Sequence, residues 1–118
     1  MPNLNAALIC AQLEQLESFL AAKRTLAYKY DSFFSEIGIT FRKENKNTKA
    51  NYWLMAIELS GREERDHFLT ETNKDGVMTR PIWKLMHTLP MYEHCYRDDQ
   101  KNAEYLVDRI VNIPSSVV

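Results

Sequence analysis

The sequence predicts an α+β unit: a long N-terminal helix, or a helix pair, leading into a small, mostly antiparallel three-stranded sheet covered by helices. Three observations carry that expectation. Helical character runs from Ala6 to Phe34, well beyond the usual globular helix of about 11–12 residues. Gly38 and Gly76 each follow a helical stretch and precede a strand-like run. Ala103, Leu106, Val107 and Ile110 fall at i, i+3, i+4 and i+7, the spacing of one helical face. Two segments follow from this pattern, a connecting helix or helix pair at 1–36 and a small C-terminal α/β domain at 37–118.

Asn3 or Asn5 is available to cap the first helix, which is apolar nearly all round from Ala6 to Ala11. A helix of that kind expects protein on more than one side. The apolar positions then narrow to Leu13, Leu16 and Leu20, and the length of the run predicts a bend between Leu16 and Phe19. Gly38 stops the helix by taking the left-handed conformation that other residues avoid. Ile39-Thr40-Phe41 alternates as a strand should. The polar stretch from Arg42 to Asn51, with four basic residues, reads as a solvated loop or, more sharply, as a flap that meets a phosphate.

Tyr52 to Leu59 is the best strand in the sequence, rich in β-formers and apolar almost throughout. Ser60 and Glu63 have capping-box spacing, so a helix should begin there and run to about Asn73, with Phe68 and Leu69 inward and His67 at the rim. Asp75-Gly76 turns the chain into a third strand that Pro81, lacking an N–H, should end. Asp98 or Asp99 can cap the last helix.

A net charge of −1, from 15 basic and 16 acidic residues, calls for neither nucleic acid nor an anionic membrane as partner. No run approaches the roughly 18 apolar residues of a spanning helix and no signal pattern opens the chain, so a cytoplasmic protein is expected. Cys10 and Cys95 have no C-x-x-C spacing and read as free thiols, and the histidines match no zinc pattern. No metal site and no catalytic constellation is expected: glycine-rich phosphate loop, G-x-S-x-G and usefully spaced carboxylate pair are all missing.

Chemistry concentrates in Val77–His87. Arg80 offers a planar fork of donors to a phosphate or carboxylate, Trp83 a flat apolar face for a ring, and His87 a proton-responsive donor or acceptor. That set suits an anionic, ring-bearing small molecule. Composition alone favours the plainer reading, with Trp83 in the core, Arg80 a surface charge and His87 a bystander.

The opening residues Met1 to Leu8 with Cys10 to Leu16, the Lys23-Arg24 to Tyr30 helix, the Gly76 turn, Thr79-Arg80-Pro81 with Trp83 and His87, and the closing Asn112-Ile113-Pro114-Ser115 together resemble, in order and spacing, the C-terminal third of the DegT/StrS family of sugar aminotransferases. The resemblance spans essentially the whole chain. It implies the small domain of a fold-type I pyridoxal-phosphate enzyme, with the Ala6–Ala11 helix buried between domains and near a homodimer contact. It further implies a nucleotide-sugar substrate met by Arg80, Trp83 and His87, and an amino donor such as glutamate. The pattern around Thr79–Trp83 looks most like members that handle a UDP-linked 4-keto-6-deoxy amino sugar on the way to surface polysaccharides. In the family the Schiff-base lysine, the aspartate facing the pyridine nitrogen and most phosphate-binding groups belong to a larger N-terminal catalytic domain, and no lysine here resembles that one. The isolated chain is therefore expected to be inactive and to bind no cofactor itself, pyridoxal phosphate belonging to the full-length enzyme. The alternative of a different class is a stand-alone, non-catalytic ligand-binding or interaction domain. An apolar surface on the first helix separates the two.

Overall fold

The computed structural model describes residues 2–117; Met1 and Val118, at the outer limits of the two expected segments, lie outside them. Four helices and four short strands succeed one another: α1 (Asn3–Glu14), α2 (Leu16–Glu36), β1 (Thr40–Phe41), β2 (Met55–Glu58), α3 (Arg62–Lys74), β3 (Arg80–Pro81), α4 (Lys101–Val107) and β4 (Ile110–Ile113), with two 3₁₀ turns at Met86–Thr88 and Pro90–Tyr92. The sheet is small and antiparallel, in the order β1-β2-β4-β3.

The long helical run breaks at Gln15, one residue before the expected bend and with no proline or glycine to mark it. Pro2, not Asn3 or Asn5, stands at the N-cap, its fixed φ leading directly into the first turn. Gly38 ends α2 at φ +76°, with its N–H on the Ser35 carbonyl and the Ile39 N–H on the Phe34 carbonyl. Gly76, at φ +81°, ends α3 in the same way through Asn73 and Thr72. These four bonds satisfy carbonyls that the two helix ends otherwise leave open.

The capping interaction of α3 is shifted by one residue from the expected one. Gly61 is the N-cap, and Glu64 at N3, not Glu63, reaches back to accept from the Ser60 N–H (2.8 Å) and hydroxyl (2.6 Å). These two bonds, the hydroxyl first, hold the Glu64 carboxyl below the usual carboxylate range. At α4 the cap falls on Gln100, whose N–H donates to Asp98, so neither Asp98 nor Asp99 is the cap.

The expected three strands are joined by a fourth. Ile110, placed by periodicity on the last helix, opens β4 instead, and β4 lies between β2 and β3 with Ile57 opposite Val111 and Met55 opposite Ile113. Pairing with the middle of the sheet buries Ile110, Val111 and Ile113, more than a further turn of α4 would bury. The core consists of Ala27 and Phe34 from α2, Phe41, Met55 and Ile57, Leu59, Val111 and Ile113, with Phe68 and Leu69 of α3 against it. Tyr30 packs there too, and burial pushes its phenol pKa upward.

The strand at Tyr52–Leu59 is shorter than expected. Tyr52 takes a left-handed φ of +49°, and pairing begins only at Met55. Helix α1 buries none of its residues, and Leu4, Leu8 and Leu13 are 74%, 59% and 61% exposed. It stands away from the body, so the radius of gyration is 17.6 Å, against about 13.5 Å for a compact chain of this length.

Candidate functional site

Strand β3 sits at the edge of the sheet, where Pro81 costs no ladder hydrogen bond that a central strand would need. Its position is fixed from below by Thr79, which is buried. The Thr79 hydroxyl lies 2.6 Å from that of Thr72, and the Asn73 side-chain amide donates to both the hydroxyl (3.0 Å) and the carbonyl (3.1 Å) of Thr79. With Thr79 locked onto α3, the next side chain, Arg80, faces solvent.

Arg80 and Trp83 line one groove, of about 380 Å³, together with Trp53, Met78, Asn112 and Pro114. The Arg80 guanidinium approaches only the Met78 sulfur, at 3.4 Å, and has no carboxylate within 4.0 Å among the described residues. Trp83 is 68% exposed, not a core residue.

His87 is not brought into this groove. It lines another, of about 430 Å³, with Lys84, Tyr92, Tyr96 and Arg97, and its Nε2 stands 3.8 Å from a Glu104 carboxylate oxygen. The chain between Trp83 and Lys84 thus divides two grooves, one aromatic with a single guanidinium and one carrying several basic groups. Trp53 is the residue the sequence concealed: within a run of β-formers it reads as a strand position, whereas the left-handed Tyr52 turns it to the surface.

The Arg42–Asn51 segment is tied down. Glu44 accepts from the Ala50 N–H (2.5 Å) and pairs with Arg24 (3.6 Å), and Arg24 donates to the Ala50 carbonyl. Lys43 pairs with Asp31 and Arg42 with Glu58. These contacts leave Lys46 and Lys49 as the loop's cations without a carboxylate among the described residues. Cys10 and Cys95 are both free and both exposed. No described helix is long and apolar enough to cross a membrane.

A pyridoxal cofactor needs a lysine amine in an enclosed site. Of the eight lysines only Lys23 is not exposed, and its ammonium donates to the carbonyls of Ser115 (2.5 Å) and Tyr52 (3.5 Å). Lys49 and Lys84 border open grooves. The residues present do not complete a site for that group.

A family model for the DegT/DnrJ/EryC1/StrS aminotransferases matches residues 1–117. The chain belongs to that family. GDP-perosamine synthase of Escherichia coli O157:H7 is 35% identical over 117 residues, covering 98% of this chain and 31% of that protein. GDP-perosamine synthase of Vibrio cholerae is 38% identical over 96 residues, covering 80% and 26%. The chain thus spans under a third of the length of these curated relatives. Among solved structures, a sugar aminotransferase from Streptococcus pneumoniae in its PLP form matches at a TM-score of 0.86 and 22% identity, over 98% of this chain and 31% of that one. The aminotransferase TlmJ from Streptoalloteichus hindustanus matches at 0.80 and 19%, over 90% and 29%. For this member of the family the likeness establishes the fold, the small α+β unit with its leading helix pair.

Proposed function

We propose that this chain is the C-terminal part of a pyridoxal-phosphate aminotransferase that moves an amino group from an amino acid, glutamate, to a keto-sugar carried on GDP, in the making of surface polysaccharide. The observation that carries the reading is the family match over residues 1–117 together with relatives named GDP-perosamine synthase at 35% and 38% identity. Those names favour guanosine over the uridine nucleotide that the family resemblance around Thr79–Trp83 implies. Residues 1–36 act as the connecting helix pair and 37–118 as the small domain. The amino-transfer chemistry belongs to the cofactor, held by an N-terminal catalytic domain outside these residues, and the chain alone is inactive.

Within that protein Arg80 and Trp83 contact the nucleotide sugar. His87, in the neighbouring groove, makes a second polar contact further along the ligand. The exposed leucines of α1 support burial against the catalytic domain and a homodimer partner, and count against a domain built to stand alone. The working compartment is the cytoplasm. The test is an assay of the full-length protein with glutamate and a GDP-linked keto-sugar: formation of 2-oxoglutarate and a GDP-linked amino sugar is expected, and no turnover with any GDP-linked keto-sugar sinks the reading.

A further inference from the structure

Trp53 is 67% exposed, yet its backbone is tied on both sides. Its backbone N–H donates to the Asn51 side chain (2.9 Å) and its carbonyl accepts from the Ser115 hydroxyl (2.9 Å). The Lys23 ammonium bridges from α2 to the carbonyls of Tyr52 and Ser115, closing the loop against the end of the chain. Tyr52 itself is left-handed at φ +49°, a conformation that a bulky side chain adopts only when its surroundings enforce it. Its ring points inward, stacked on Phe41 at 6.4 Å with the Arg24 guanidinium 5.8 Å from its centroid. The left-handed residue lays the half-buried tyrosine against the core and leaves the indole after it exposed. Apolar burial does not account for an indole projected from a backbone held in this way, since most of its surface stays in water.

The groove that receives Trp53 holds the chain's other tryptophan, Trp83. Every aromatic pair among the described residues joins tyrosines and phenylalanines, and the two cation–π contacts lie over tyrosines. Neither tryptophan takes part in such a contact, and the two are 67% and 68% exposed. Arg80 in the same groove has no carboxylate partner among the described residues.

We propose that this groove is the nucleobase site, in which the guanine ring of a guanosine nucleotide packs on Trp53 and Trp83 while Arg80 reads its edge. Indole faces stack on purines readily, and guanine presents adjacent acceptors, O6 and N7, that match the guanidinium fork. Adenine offers an amino donor where guanine has O6. The proposal rests on the nucleotide-sugar reading above, deepens it by naming Trp53, and assigns Arg80 to the base.

Both tryptophans line the groove, so indole emission of the chain reports on this site alone. Titration with GDP is expected to quench it saturably, with about tenfold weaker binding of ADP and no effect of ribose 5-phosphate. Trp53→Leu and Trp83→Leu should each weaken GDP binding about tenfold, with the remaining indole still quenched. Arg80→Ala should erase the preference for GDP over ADP.

Unchanged emission with near-ultraviolet circular dichroism of a folded chain overturns the proposal, and so does equal quenching by ribose 5-phosphate or equal affinity for ADP. In the full-length protein, Trp53→Leu should raise KM for the GDP-sugar about tenfold and leave that for glutamate unmoved, a readout that holds even if the 118 residues do not fold alone. Turnover with an unmoved KM removes the base site and leaves the aminotransferase reading intact. Guanine-selective quenching without turnover does the reverse.

Discussion

Arg65 of α3 donates to the backbone carbonyl of Val107, 42 residues further on, at the point where α4 gives way to β4. The same guanidinium gives Nε (2.9 Å) and Nη2 (2.6 Å) to Asp66 and lies 3.9 Å from Asp108. It is the one charged residue among the buried ones that are described, and it joins the helix that leads into β3 to the turn that starts β4. Those two strands carry Arg80 and Asn112, which face each other in the sheet and share a groove. A charge inside the fold thus fixes the placement of groups outside it.

Arg65→Ala is expected to lower stability by about 2 kcal/mol, because a partly buried carbonyl loses a charged donor. Arg65→Lys should recover only part of the loss, since a single ammonium cannot reach Asp66 and Val107 as the planar fork does. Urea denaturation of the three proteins checks this, and an alanine variant as stable as the parent removes Arg65 as the link.

Glu64 gives a prediction with a sign in pH. Its carboxyl titrates lower in the folded protein than in the unfolded one, because the Ser60 hydroxyl and N–H favour the charged form. The stability it contributes is present in full above the ordinary carboxylate pKa and disappears as pH falls through the folded value. Glu64→Gln should therefore lower the denaturation midpoint at pH 7, by an amount that shrinks as the pH falls below the ordinary carboxylate range. A gap that stays constant as the pH is lowered would place the effect in packing, not in charge.

Local chemistry made much of the fold legible. Gly38 announced a left-handed helix end, Gly76 a turn and Pro81 the end of a strand, because a single residue's allowed dihedrals decide each of these. Strand β4 was hidden because Ile110 satisfies a helical stripe as well as a strand, and only pairing with Glu58, over fifty residues earlier, chooses between them. The site divides in the same way. Arg80 and Trp83 announce themselves by residue type, while Trp53 becomes part of the groove through the φ of Tyr52, whose ring meets Phe41 and Arg24 from other elements. His87 was grouped with Arg80 by proximity in sequence, and the turn of the chain after Trp83 separates them.

Arg80→Ala in the full-length enzyme should weaken binding of the nucleotide sugar about tenfold or more, the scale of losing a charge-assisted hydrogen bond. Fold stability should change little, since this side chain is exposed and meets only Met78. Calorimetric titration of both proteins separates the two effects. Unchanged affinity leaves Arg80 with no role in the ligand site.

The lysines predict the behaviour of the chain toward pyridoxal phosphate. Seven of the eight are exposed and Lys23 is held by two carbonyls, so none is singled out as a reactive amine. Incubation with the cofactor followed by borohydride should give weak labelling scattered over several lysines. Stoichiometric reduction at one lysine would falsify the expectation that this part of the enzyme carries no cofactor site.

Helix α1 supplies a prediction about association. Leu4, Leu8, Ile9 and Leu13 expose between 47% and 74% of their surface on a helix that buries nothing. Covering most of a leucine side chain is worth about 1.5–3 kcal/mol, so four such residues favour any apolar partner strongly. The isolated chain should bind a hydrophobic dye and self-associate at micromolar concentration in sedimentation velocity. Replacing Leu4 and Leu8 with glutamine should diminish both signals without moving the denaturation midpoint, because neither side chain touches the core cluster. A dye-silent monomer would mean that α1 folds back onto the body, and with it the inter-domain role proposed for residues 1–36 would be lost.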